Sequence, residues 1–137
     1  MNISKNRKEE LTGFQEQSPW NSNIDLQTDY VMPYGFGPGI LDRLEVWKSK
    51  GYQLHLMTGI SWGHYQDYLY GEYDGTDHSY EGQHTCDGTE INHGKTVPYM
   101  VPTIDFSNYM VEKLKPIVDA GVLAIHLEEP EFWMRAG

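Results

Sequence analysis

Gly121-Val122-Leu123-Ala124-Ile125-His126-Leu127-Glu128-Glu129-Pro130-Glu131-Phe132-Trp133 (GVLAIHLEEPEFW) joins an apolar run to a cluster of carboxylates. Gly121 is placed to end a helical pattern, and Val122 to Glu128 read as a buried strand. An earlier segment follows the same plan. Gly51 precedes Tyr52 to Thr58 (YQLHLMT), and the two strands share the triplets Leu54-His55-Leu56 and Ile125-His126-Leu127. The chain thus repeats loop, helix, glycine, strand, with the glycine-to-histidine spacing differing by one residue. Strands that alternate with helices argue for the α/β class, with a parallel sheet and helices outside it.

The flanking segments fill in this plan. Asp29 to Tyr34 is rich in strand formers, although Pro33 weakens it. Gly35, Gly37, Pro38 and Gly39 punctuate a loop. Ile40, Leu44 and Trp47 then fall at i, i+4 and i+7, with Leu41 beside them, which predicts a helix over 39–50. Lys48 and Lys50 sit where the helix dipole favours cations. A second helix is predicted over 106–120, capped by Thr103 or Asp105. Its apolar face is Phe106, Tyr109, Met110, Leu114, Ile117 and Val118, and Pro116 should kink it or mark a boundary. Val97 to Val101 is a weak strand. Residues 59–96 carry many glycines and aromatics but no convincing helix or strand. A loop of that length is usually functional, and a short hairpin fits within it. Residues 1–28 form a polar arm, mobile or partly docked, with Trp20 as its candidate anchor. Residues 29–137 are the folded unit.

Composition narrows the function classes. The chain has 137 residues, enough for one domain with a real core. Its net charge is -10, and no basic patch follows the first eight residues, which disfavours nucleic acid and anionic membranes. No apolar run reaches the length of a membrane span, and no secretory pattern opens the chain, so a cytoplasmic location is the default expectation. Cys86 is the only cysteine, so no intrachain disulfide forms. Ten tyrosines, four tryptophans and four phenylalanines suit a surface that stacks on flat ligands, sugars included.

In parallel α/β folds, ligands bind at the carboxyl ends of strands. Side chains alternate along a strand. Leu123, Ile125 and Leu127 form one row, expected to face the covering helices. Ala124, His126 and Glu128 form the other, with Glu128 at the mouth. Gln53, His55 and Met57 point the same way from the earlier strand. Pro130 should bias Glu129 to extended geometry. A polar row ending in a carboxylate suits glycoside hydrolysis, which takes an acid and a nucleophile or base. Glu128, Glu129 and Glu131 are therefore the candidate catalytic acids, with parity favouring Glu128. The alternative is a solvated loop, or an ion pair with Arg135. Trp62, His64, Tyr65, Asp67, His126 and Trp133 are candidate sugar contacts, through ring stacking and hydrogen bonds to hydroxyls. His84, Cys86, Asp87 and His93 match no strong zinc spacing, and no metal or cofactor is expected. A carboxylate site for a divalent cation at Glu128, Glu129 and Glu131 remains an alternative. No Ser-His-Asp, Walker or dinucleotide fingerprint occurs.

The segments WGHYQDYLYGEYDG, VPYMVPT and AIHLEEPEFWMRAG together resemble the N-terminal part of the (β/α)8-barrel catalytic domain of bacterial glycoside hydrolases. The resemblance covers residues 29–137, and the last motif is the most specific. It implies a partial (β/α)8 barrel, about the first half, with a long aromatic loop insertion. It also implies a carbohydrate substrate, with Glu128, Glu129 and Glu131 at a strand end in the cleft. A full barrel takes about 250 residues. The expectation is thus a chain truncated at its C-terminus, with an open sheet edge through which copies could associate. The second carboxylate could then lie outside it. A non-catalytic carbohydrate-binding or assembly module, and a metal-assisted barrel enzyme, are the rival expectations.

Overall fold

The computed structural model describes residues 10–129. Four parallel strands form the main sheet: β1 (Gly13–Glu16), β2 (Tyr30–Pro33), β3 (Gln53–Gly59) and β6 (Val122–Glu128), adjacent in that order. Helix α1 (Ile40–Ser49) connects β2 to β3. The connection from β3 to β6 holds a four-residue helix α2 (Gln66–Leu69), a hairpin of β4 (Asn92–His93) and β5 (Val97–Pro98), and the long helix α3 (Ile104–Asp119). The predicted α/β class with a parallel sheet is what the molecule adopts.

The elements form for the reasons legible in their residues. Ile40, Leu44 and Trp47 lie buried on one face of α1, while Leu41 stays exposed. Thr103 caps α3, its hydroxyl accepting from the Phe106 backbone N–H at 3.0 Å. The helix continues through Pro116 to Asp119 instead of ending there. Ile117 is buried against the sheet and anchors the last turn. Val118 points to solvent instead of joining the apolar face.

Both long helices cover the same face of the sheet. One core cluster contains Ile40, Leu44 and Trp47 of α1, Ile117 of α3, and Val31, Leu54, Leu56 and Val122 of the strands. Each fully buried aliphatic side chain there contributes on the order of 2 kcal/mol. The opposite face carries Tyr30, His55 and His126. Tyr30 stacks on His55 with ring centroids 4.1 Å apart, and His55 Nδ1 lies 2.9 Å from His126 Nε2. Burial, and then the His126 ring, push the His55 pKa down.

Two departures from the sequence expectations have clear causes. Gly13–Glu16 forms an edge strand within the segment expected to be a polar arm, mobile or partly docked, and Trp20, its candidate anchor, packs partly buried against the core. Glu16 looks solvent-seeking, yet it is buried and accepts from Arg43 at 2.8 Å and from the Trp47 indole at 3.2 Å. The strand also needs Gly13, because a Cβ there would meet the Tyr30 ring at 2.2 Å. The second departure is on β6. Its pairing with β3 shifts register between Leu54 and His55, so Val122 opposes Leu54 while Ile125 opposes Leu56. The extra residue lets Val122 and Ile125 both reach the core side. Leu123 and Leu127, expected under the helices, are exposed instead.

The long loop is a folded module and not an irregular excursion. Tyr65, Tyr68, Leu69 and Met100 pack with Phe106, Tyr109 and Met110 of α3 in a second core. Glu81 is buried at its hub, accepting from the Tyr68 hydroxyl at 2.7 Å and from the Thr103 hydroxyl, with His78 Nδ1 at 3.1 Å. Burial works to raise the Glu81 pKa, but these hydrogen bonds outweigh it and hold the value low.

Candidate functional site

The site sits where β2, β3 and β6 end together. On the helix-free face, Tyr34 follows β2 and bridges to Met57 of β3, while Glu128 is paired with Gly59. Alternation puts Tyr34, Gly59 and Glu128 on that same face. Gly59 has no side chain, and Trp62 packs over it in the space a Cβ would take. Gly59 also permits a close reversal of the chain: a Cβ there would stand 2.3 Å from the Trp62 carbonyl oxygen. That reversal brings Ser61 and Trp62 back over the end of β6.

Ser61 and Trp62 hold Glu129. The Ser61 hydroxyl donates to the Glu129 carbonyl, and the Trp62 indole N–H donates to its carboxylate. Glu129 has φ of 50°, the left-handed region, and not the extended geometry that Pro130 favours. A conformation of that kind costs on the order of 1–3 kcal/mol and persists where surrounding contacts impose it. Here the two donors impose it. The strand has ended at Glu128, so the strict alternation no longer applies, and the two acids are presented by different backbone conformations. Both remain half-buried.

Aromatic rings wall the acids. Trp62 lies 6.4 Å from Tyr34 and stacks on His93 at 4.1 Å, and His93 Nδ1 is 3.2 Å from the Tyr99 hydroxyl. The Tyr34 hydroxyl is buried and has no partner at ordinary hydrogen-bond geometry among the described residues. Burial first, then the Glu128 carboxylate and next that of Glu129, push its pKa well up. Tyr34 therefore stays protonated beside the two acids, with Glu128 as the acceptor within its reach.

The sequence-derived candidates divide around this point. Glu128, Glu129 and Trp62 come together. His126 lies one step down the same strand face as Glu128, engaged with His55. His64 is exposed. Tyr65 is core: its ring packs on Phe106, and its hydroxyl donates to the Gly59 carbonyl at 2.6 Å. It supports the site from behind rather than facing a ligand. Asp67 is tied to Lys113 at 2.7 Å and accepts from Tyr109 at 2.7 Å, which fixes α2 to α3. Glu131 and Trp133 lie outside the described residues. Tyr34 and Ser61 were not singled out from sequence, and His93 was weighed there only as a metal ligand. For Tyr34 a usable signal existed, since it follows β2 at the carboxyl end of the sheet.

Among the described residues, no group of three or more His, Cys, Asp and Glu side chains is gathered to hold a metal ion, and Cys86 is exposed. No helix of the described residues is long and apolar enough to cross a membrane. No known family model matches the chain, and no curated protein matches it closely enough to count as a relative.

Proposed function

We propose that this chain carries part of a glycoside hydrolase site, in which Glu128 and Glu129 work as carboxylates on a glycosidic bond. The observation that carries the reading is the meeting of two half-buried acids, a protonated tyrosine and a tryptophan at the carboxyl ends of parallel strands. Trp62 would stack on a sugar face, and Tyr34 would donate to a sugar or leaving-group oxygen. Glu129, held by the indole N–H, suits the charged partner, and Glu128 the proton donor.

The same reading takes the sheet as part of a (β/α)8 barrel. Two features support it: strands adjacent in chain order, and both long helices on one face. A doubly wound sheet would place helices on both faces. The polar face bearing Tyr30, His55 and His126 would then be the barrel interior. Among the described residues β6 is an edge of the sheet, and its exposed Leu123 and Leu127 suit self-association or pairing with further strands.

The test is hydrolysis of a panel of aryl glycosides and polysaccharides by the protein and by Glu128→Gln and Glu129→Gln. Turnover should fall about 10²–10⁴-fold in each variant while the fold persists. Equal turnover in the variants would remove the reading. Sugar binding without turnover, unaffected by Glu128→Gln, would establish a binding module instead.

A further inference from the structure

A second concave site lies away from the strand ends. It is a cleft of about 550 Å3 between the long loop and the first turns of α3. The residues lining it do not include Tyr34, Trp62, Glu128 or Glu129. Tyr68 and Tyr109, almost wholly buried, form its floor with His78. Tyr73 and Tyr80 contribute more accessible rings, Tyr80 being 69% exposed. Asp74, Asp105 and Glu112 supply carboxylates, and no lysine or arginine is among the lining residues.

Apart from His78, which is paired with Asp74 and Glu81, the ionisable groups of the cleft are carboxylates and tyrosines. Tyrosine faces carry negative quadrupole potential, and carboxylates add full charge. An anion would be repelled, and a neutral sugar would stack and hydrogen-bond but leave the negative charge uncompensated. A cation gains from both. The tyrosine cluster already hosts one: Lys113 Nζ stands 5.3 Å from the Tyr109 ring centroid and 5.6 Å from that of Tyr73. That ammonium is anchored to Asp67 at 2.7 Å, so it does not fill the cleft. Asp74 is partly committed to His78, 3.1 Å away, which leaves Asp105 and Glu112 as the principal charges. Glu112 accepts from the Tyr73 hydroxyl, so ring and charge are held together.

We propose that this cleft binds an organic cation bearing an alkylammonium group, with the tyrosine rings around the methyl groups and Asp105 and Glu112 neutralising the charge. The site is independent of the glycosidase reading and stands or falls without it.

Choline and its neutral isostere 3,3-dimethylbutan-1-ol are the probes, titrated into the full chain by calorimetry and ligand-observed magnetic resonance. Choline should bind at least about fivefold more tightly than the isostere, and more weakly as salt rises. Tyr80→Ala removes an exposed ring, and Glu112→Gln removes a charge while keeping a side-chain acceptor for Tyr73. Each should weaken choline binding several-fold with an unchanged circular dichroism spectrum. Equal affinity for the two probes would overturn the proposal. So would indifference to both substitutions, or binding of neutral oligosaccharides in place of choline at the Tyr80-dependent site.

Discussion

Glu81 and Glu129 are both carboxylates drawn out of water, and they are held in opposite ways. Glu81 is buried at the hub of the long loop, with Tyr68, Thr103 and His78 all turned toward it. Its neighbours use up its accepting capacity, so it works as a strut that ties the loop to the start of α3. Glu129 is half-buried, accepts from one indole N–H, and sits on a backbone that an L-residue rarely adopts. Glu128 beside it is likewise half-buried, opposite a glycine. A satisfied acid in a sealed pocket serves the fold, whereas a constrained acid with water still at hand is open to a ligand.

The largest effect that tests this contrast is expected from Glu81→Ala. It leaves the Tyr68 hydroxyl, the Thr103 hydroxyl and the His78 ring without their shared acceptor inside a packed module. The cost should be about 3 kcal/mol or more, a large part of a marginal total. Urea unfolding monitored by tyrosine fluorescence measures it. A loss below about 1 kcal/mol would mean that the loop does not depend on its hub.

Trp62→Phe should cost less in stability. It keeps an aromatic ring near His93 and Tyr34 but removes the donor to Glu129. Water can reach that carboxylate, so the expected loss is about 1 kcal/mol. Ligand binding should suffer more than folding does. A stability loss equal to that of Glu81→Ala would make the strand end another strut and erase the contrast.

Periodicity made one of these regions visible in the sequence and hid the other. The strand end could be read because Gly121, the apolar run and the alternation to Glu128 are local signals, and alternation held past His126. The helix faces were legible for the same reason, down to Leu44 and Trp47. The bulge on β6 was not, since it depends on how Val122 settles against Leu54, far away in the chain. Nor was the hub. Tyr68, His78, Glu81 and Thr103 show no periodic spacing, and their meeting is purely tertiary. Asp67 and Tyr65 looked like ligand contacts because polar aromatic loops resemble binding loops. In fact Lys113 and the Gly59 carbonyl claim them. Glu16 concealed an edge strand because an acid on a helix-covered face is foreseeable only once Arg43 and Trp47 are known to await it.

The smallest effects concern the two histidines of these regions, and their signs should be opposite. Burial acts to lower the His78 pKa, but hydrogen bonds to Asp74 and Glu81 and their charges outweigh it and raise the value above 6.5. His55 goes the other way, since burial and then the His126 ring lower it below 6.5. For His78 the folded form holds its proton more tightly than the unfolded form. Its stabilisation is complete below the unfolded value and disappears as pH rises through the folded one. For His55 the stabilisation is complete above 6.5 and disappears as pH falls through its lowered value. His78→Gln should therefore cost more stability at about pH 5.5 than at about pH 8, and His55→Gln more at about pH 8 than at about pH 5.5. Each difference is bounded by about 1.4 kcal/mol for every tenfold change that folding makes in the ring's proton affinity. Titration of the histidine Cε1 protons gives the two values directly. If both titrate on the same side of 6.5, either the charged hub around Glu81 or the contact between His55 and His126 is not formed as described, and comparing the two variants identifies which.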